Sequence, residues 1–352
     1  MKMSLVVVLG LVAAVGVASV PGPAAPPATV AQPVSVSVNV APNQIDFLCG
    51  KEHLVARYVI SPDVAKPYLW PLNAPSGKPI TRAWPMEKGY AGAQTDHVHQ
   101  KSAWFCHGDV IPEGIELKKK IRGVEGVDFW SEADGHGKIL CTKIDKVEQE
   151  MAHAKVTTLN EWRTGDGVKI LDESRVLHVY NFGDAQLIVF DIDLHASVCP
   201  ITFGDTKEGS FGVRVRESIT EEKGKGKLTN AEGKQGEGAR SNRDKTGVWG
   251  LVSAWCDYSG PVDNGVAGIT IFADPGNPYP TCWHSRGYGL MAANPFGREK
   301  SGFPAMAGKK DLVKMAKGDH LKLRYGIYLH SGDVKAGKVA EAFEQFKKLK
   351  GA

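Results

Sequence analysis

The 352-residue chain has no Cys-x-x-Cys pair, no internal repeat and, past residue 20, no run approaching the ~18 apolar residues that mark a membrane helix. These absences exclude a zinc ribbon, a solenoid and a polytopic helical membrane protein. The chain also lacks a strong charge of either sign: 43 basic and 39 acidic residues leave a net +4. The basic residues are interspersed with acids and not gathered with aromatics into a stripe, which argues against a nucleic-acid binder. The one cationic cluster, Lys118-Lys119-Lys120-Ile121-Arg122, reads as a solvated edge. Six cysteines stand far apart, at 49, 106, 141, 199, 256 and 282. They could form bridges in an exported chain, but their spacing reveals no connectivity.

What is present begins with Met1-Lys2-Met3 and the apolar run Leu5 to Val20, interrupted by Gly10 and Gly16 and ended by Pro21. A short basic start followed by such a run has the form of a secretory signal, so residues 1–20 are expected to be a signal peptide and the protein to be secreted or periplasmic. No membrane span is expected in the mature chain. Residues 21–33 are rich in Pro and Ala and predict a linker. Residues 34–352 are long enough for one large domain.

Within that domain, short segments of period two dominate. Val34 to Val40 alternates strictly, and Leu54 to Ile60 is a second strand-like run. Between Gln186 and His195, Ile188, Phe190, Ile192 and Leu194 fall on one face, with Leu187, Val189, Asp191, Asp193 and His195 on the other. Phe211, Val213 and Val215 alternate with Gly212, Arg214 and Arg216, and further strands are expected at 267–273 and 320–330. With 40 Gly and 20 Pro separating these segments, the pattern predicts an all-β fold of stacked antiparallel sheets. Residues 221–247, dense in Gly, Lys, Glu and Asn, predict a long mobile loop. From 338 to 349, Val339, Ala342, Phe343 and Phe346 have helical spacing and predict one C-terminal helix.

Three clusters concentrate the polar chemistry. The first is Asp96-His97-Val98-His99 through Trp104, His107 and Asp109. If residues 97 to 107 are extended, His97, His99, Lys101 and His107 share a sheet face, where imidazoles can exchange protons or bind a divalent metal. The second runs from Asp205 to Arg214, where Lys207 and Glu208 on a Gly-bounded loop offer a base and a clamp. The third includes Trp283, His284, Arg286, Tyr288 and Asn294. There an aromatic could stack on a sugar ring while His284 and Arg286 reach hydroxyls or a carboxylate.

Taken in order, these clusters resemble an uncharacterised bacterial family often labelled "methane oxygenase PmoA". The similar stretches are Lys66-Pro67-Tyr68-Leu69-Trp70-Pro71-Leu72, the Asp96–Asp109 block, Gly126-Val127-Asp128-Phe129-Trp130, the Asp205–Arg214 loop, Trp255-x-Asp257-Tyr258-Ser259-Gly260 and the Trp283–Gly297 block. Val98 is a departure, since the resemblance leads to Pro there. A membrane methane monooxygenase subunit needs several apolar spans, so that activity is not what the resemblance implies. It implies a large antiparallel β-sandwich similar to the galactose-mutarotase supersandwich, with a carbohydrate-related role. By that analogy His99 or His107 is the proton donor and Glu208 the base.

The leading expectation is an exported carbohydrate-active enzyme, a hydrolase, lyase or epimerase. His97, His99, His107 and Glu208 are its acid–base candidates. Arg214, Arg286 and His284 would bind ring substituents, and Trp104, Trp130 and Trp283 would form walls. Asp96, Asp109, Lys207 and Asn294 are further substrate contacts. One alternative is a non-catalytic glycan-binding sandwich, with flat exposed aromatic platforms and buried, satisfied histidines. The other is a metal-dependent enzyme built on His97 and His99; otherwise no cofactor is expected.

Overall fold

The computed structural model describes residues 35–50, 52–89, 92–238, 246–349 and 351. The signal-peptide and linker expectations lie outside the described residues. Alternating segments become strands wherever one of their faces can be buried. The expected β-runs appear as Val36–Ala41, His53–Val59, Ala185–His195, Gly209–Arg214, Gly265–Ala273 and His320–Ser331. Ala185–His195 pairs along its length with His320–Ser331 on one side and with Lys169–Asn181 on the other. Its Ile188, Phe190, Ile192 and Leu194 enter the main core, whereas Leu187 and Val189 join a smaller cluster on the opposite face. The period-two pattern thus assigns both faces correctly.

Two eight-stranded antiparallel sheets stack into a large sandwich. The first runs, in spatial order, Val36–Ala41, Gln44–Cys49, His53–Val59, Tyr68–Leu72, Ala103–His107, Gly209–Arg214, Leu290–Asn294 and Cys282–Trp283. The second runs Lys227–Asn230, Trp255–Val262, Gly265–Ala273, His320–Ser331, Ala185–His195, Lys169–Asn181, His153–Arg163 and Lys138–Gln149. A three-stranded sheet of Val313–Met315, Ile201–Phe203 and Val110–Pro112 completes the β structure among the described residues.

The inner faces interdigitate through rings. Phe105 meets Trp162 at 6.0 Å between centroids, and Phe190 meets Phe211 at 4.9 Å. Each such fully buried side chain contributes roughly 1.5–3 kcal/mol. One ionic network sits among them. Arg175 donates to Glu173 and, at 3.1 Å, to the Tyr58 hydroxyl, while Trp162 Nε1 donates to Glu173 at 2.7 Å.

The helix Val339–Phe346 lays Val339, Ala342, Phe343 and Phe346 on Leu187, Val189, Phe272 and Tyr328, covering part of the second sheet's outer face. All six cysteines are free thiols, so no bridge forms. The segment 221–247, expected to be a long mobile loop, contains a strand in its described part. Lys227–Asn230 pairs with Trp255–Val262, and Leu228, Thr229 and Asn230 are buried. The pairing is long-range, and for that reason no local apolar period announces it. Among the described residues no helix is long and apolar enough to cross a membrane.

Candidate functional site

Three neighbouring strands of the first sheet, Ala103–His107, Gly209–Arg214 and Leu290–Asn294, present an outer face turned away from the sandwich core. Trp104 lies across Gly212, its cross-strand partner, where an added Cβ would stand 2.7 Å from the indole. Glycine is therefore required in mid-strand for the ring to lie flat. Trp130 packs on Trp104 at 5.1 Å and has His99 at 6.3 Å and His284 at 6.4 Å. His284, whose backbone bonds to Ala292, places Nδ1 3.9 Å from the Glu208 carboxylate. The Lys207 ammonium lies 3.1 Å from that same carboxylate.

At the far end of this face the loop from Gln94 to Gln100 folds over the sheet. Arg82, buried beneath it, donates to the carbonyls of Asp96, His97 and Gln100 and to the Asp96 carboxylate. Held in this way, His97 adopts a left-handed φ of 44°, a conformation that costs on the order of 1 kcal/mol for a residue with a Cβ. The Asp96 carboxylate accepts from His97 Nδ1 at 2.7 Å and from Arg214 at 3.0 Å. Arg214 also donates to Gln94 and Gln100 and stacks 4.4 Å over the Tyr288 ring. Tyr288 is in turn stacked with His97 at 5.1 Å, and Arg286 lies 5.9 Å from its centroid. A side wall beside His99 carries buried Lys66, which donates to the Trp130 carbonyl, and Glu132, which accepts from Lys101 at 2.7 Å.

A polar cluster results, with charged groups on its solvent side and unmet polar groups among its buried members. His97, Asp96, Lys207 and Glu208 are partly or fully open to solvent, whereas His284, Trp104 and Trp130 are buried. Among the buried members, Trp130 Nε1 and Arg286 Nε lack a hydrogen-bond partner, and His284 has only a loose one at the Lys207 carbonyl. Buried polar atoms are nearly always satisfied, so each of these groups calls for an explanation.

The electrostatics set the proton inventory. Burial lowers His284 to about 4, with only the neighbouring Glu208 and the Lys207 carbonyl opposing the shift. Burial, then the Lys66 and His97 charges, lower His99 to about 4. Burial alone would raise the Glu208 carboxyl, but His284, Lys207 and His99 outweigh it and hold the group below its ordinary range. Asp96 is likewise depressed, because Arg214, His97 and Arg82 overcome its burial. Glu132 is depressed by Lys66 and Lys101 in the same manner. At neutral pH the cluster therefore offers an ionised carboxylate at Glu208 and neutral imidazoles at His99 and His284.

Of the residues singled out in the sequence, Asp96, His97, His99, Trp104, Trp130, Lys207, Glu208, Arg214, His284 and Arg286 meet here. Four do not. His107 lies on the inner side, with Nε2 2.9 Å from the Gly204 carbonyl and its ring edge-on to Phe203 and Phe296. The expected shared face fails because residues 97–102 are not extended; His97 and Ser102 both have positive φ, which breaks the parity. Asp109 accepts from the Gly126 amide and pins a turn. Trp283 is fully buried with Nε1 on the Ser253 carbonyl, so it is no wall of the cluster. Asn294 spends its amide on the Thr206 and Lys207 carbonyls and the Phe296 and Gly297 amides, which makes it a brace for the Glu208 loop.

Arg82, Gln94, Gln100, Lys66, Glu132 and Glu237 were not anticipated. Glu237 comes from the Gly-rich segment and accepts from Arg286 at 3.1 Å and from the Gly287 amide at 2.8 Å. For the metal alternative, no group of three His, Cys, Asp or Glu side chains converges among the described residues. His97 and His99 thus lack a third donor.

Sequence comparison defines the class. Residues 44–344 match the family of unknown function DUF6807, and the chain belongs to that family. This is the coarser form of the resemblance read from the sequence; the methane oxygenase label finds no counterpart in it. No curated protein matches the chain.

Among solved structures, the chain is similar to galactose 1-epimerase from Lactobacillus acidophilus NCFM, with 7% identity and a TM-score of 0.38 over 85% of this chain and 100% of that one. It is also similar to a galactose mutarotase-like protein from Clostridium acetobutylicum, with 9% identity and a TM-score of 0.40 over 85% and 99%. The galactosidase domain of an alpha-galactosidase-sucrose kinase gives 8% identity and a TM-score of 0.40 over 84% of this chain. The chain spans only 42% of that protein. None of these similarities assigns an activity to this chain.

Proposed function

We propose that this protein is an exported carbohydrate-active enzyme that moves a proton on a sugar bound at this cluster, as an epimerase or lyase. The supporting observation is the meeting of Glu208, His284 and His99 around Trp130, beside the solvent-exposed Asp96–His97 pair. Glu208, ionised and partly open to solvent, is the base. The Asp96–His97 pair and the neutral His99 N–H, in the same cluster, donate to or polarise a substrate oxygen.

Hydrolysis fits less well. A glycosidase keeps one carboxyl protonated as general acid, whereas Glu208, Asp96 and Glu132 are all held below the ordinary carboxylate range. A purely glycan-binding role also fits poorly. It calls for exposed aromatic platforms, but Trp104, Trp130 and Trp283 are buried, and the Tyr288 ring already packs against His97 and Arg214.

The signal-like start supports action outside the cytoplasm, and the mass of the mature chain recovered from the host's periplasm or medium tests that part. The activity is tested by incubating the protein with neutral and oxidised oligosaccharides and following product mass and solvent deuterium uptake. Turnover with deuterium incorporation that vanishes in Glu208→Gln, while binding persists, is the expected result. Unchanged turnover in that variant would refute the assignment of the base.

A further inference from the structure

Trp70 belongs to the Lys66–Leu72 stretch singled out in the sequence, but it is not among the residues that meet around Glu208. Its strand, Tyr68–Leu72, pairs with Ala103–His107 so that Tyr68 stands opposite Trp104 and Leu69 opposite Ala103. On its other side the register with His53–Val59 slips between Leu69 and Leu72, both of which are fully buried in the core. The slip leaves Trp70 and Pro71 together on the outer side, half-buried, on the face that carries Trp104.

There Trp70 is one wall of a cavity of about 250 Å³, which exposed Lys78, Glu87 and Asp263 keep in reach of solvent. The cavity adjoins the polar cluster. Thr81, in its lining, precedes Arg82 and accepts from Ser102 Oγ at 2.7 Å, and Glu217 accepts from the Gln94 amide at 3.2 Å. Arg82 in turn holds the loop that carries His97 and His99.

The lining mixes donors and acceptors. Arg216 donates to the Pro79 carbonyl at 3.1 Å and lies 3.4 Å from the Asp263 carboxylate, with the Lys78 ammonium 3.7 Å from that same group. Glu87 and Glu217 add two more carboxylates, so two cations face three anions. The surplus of negative charge opposes an anionic ligand. Sugar hydroxyls, which both donate and accept, suit such a set, and the indole offers an apolar plate for the face of a ring. The volume falls below the roughly 300–1,000 Å³ of clefts that enclose drug-sized ligands, so a single ring fits and a chain does not.

We propose that this cavity is a distal subsite, receiving one neutral pyranose unit of an oligosaccharide against Trp70 while another unit lies at the Glu208 cluster. This inference rests on the carbohydrate reading above and extends it: the substrate is a chain, not a free sugar.

The test is calorimetric binding at pH 7 of galactose and glucose against linear, neutral tetrasaccharides of the same sugars. The tetrasaccharides should bind about tenfold more tightly, the scale of one aromatic contact with its hydrogen bonds. Trp70→Ala should abolish that gain, and Trp70→Phe, which keeps a ring, should retain part of it. Should Trp70→Ala fold poorly, Asp263→Gly takes its place: it removes one carboxylate of the cavity at a left-handed φ of 51° that suits glycine, and should still shrink the gain. Equal affinity of the wild-type protein for single sugars and tetrasaccharides, a gain untouched by Trp70→Ala, or a larger gain with galacturonate chains overturns the inference. If neutral sugars are nevertheless turned over in a Glu208-dependent way, the carbohydrate reading survives without it. A Trp70-dependent gain with no turnover of any bound sugar would leave the subsite standing and remove the enzyme. If no sugar binds, both fall together.

Discussion

The interior of the sandwich and the outer face of the first sheet each carry acids, bases and aromatic rings, and they use them in opposite ways. In the interior, Arg175, Glu173, Tyr58 and Trp162 bond one another, so every charge there has its partner. On the outer face, Glu208, His284, Trp130 and Arg286 are brought together with several of their hydrogen-bonding atoms unused. His107 sharpens the contrast. Burial depresses it to about 4, as it does His284, but its nitrogens lie against the Gly204 carbonyl and Ser210 Oγ. A depressed pKa thus reports burial alone. The outer face is set apart by its solvent side, where Asp96, His97, Lys207 and Glu208 are at least partly exposed beside buried polar groups.

Breaking the inner network should produce the largest loss of stability. Arg175→Leu strands the Glu173 carboxylate in the core, at a cost of about 3–5 kcal/mol, which urea denaturation would resolve. Turnover per folded molecule should be unaltered. Pairing it with Glu173→Leu should recover most of the loss, because neither charge then remains buried alone. A cost for Arg175→Leu below about 1 kcal/mol would mean that the inner network is not the closed structural unit described.

The outer face should respond the other way round. Glu208→Gln removes the base and should lower turnover by roughly 10²–10⁴-fold. Its partly exposed carboxylate carries little stability, so the unfolding midpoint should barely move. A large stability loss with activity intact would reverse the roles given to the two regions.

The sequence made the interior easier to read than the outer face. Ile188, Phe190, Ile192 and Leu194 could be assigned because burial against a second sheet imposes a strict period of two. The C-terminal helix was legible for the same reason, through Val339, Ala342, Phe343 and Phe346. Most of the site's residue types were also visible as clusters, but not their geometry. The His97–Gln100 path is set by Arg82, a residue that lies outside every polar cluster and acts through three backbone carbonyls. Glu237 sits in a segment whose composition signals only a loop, and the Arg286 contact that gives it a role spans 49 residues. Long-range bonds of that kind leave no local period.

His99, His107 and His284 all titrate near 4, so substitution is what isolates the inner one. The unfolded chain protonates His107 near pH 6.5, but the folded protein resists until about 4. Between those values the unfolded state binds the extra proton, so stability falls as pH drops through the window. For His107 the full loss is on the order of 3 kcal/mol. His107→Phe gives up the Gly204 bond but cannot titrate, so its urea midpoint should depend less steeply on pH between 7 and 4.5. Parallel slopes for the two proteins would show that His107 is not one of the proton-linked groups.

The most delicate comparison uses neighbouring positions on one strand. Val213 points into the core and Gly212 outward under Trp104. Val213→Ala removes buried methyl groups at about 2 kcal/mol, while Gly212→Ala forces a Cβ against the indole at about 1–3 kcal/mol. The stability losses should therefore be similar, but their effects on turnover should not. Moving Trp104 displaces Trp130, and with it the spacing between His99 and His284, where a shift of about 1 Å can cost on the order of 10²-fold. Gly212→Ala should thus impair turnover while Val213→Ala leaves it near wild type. Equal turnover in the two variants would mean that the Trp104–Trp130 pair does not set the geometry of the reacting groups.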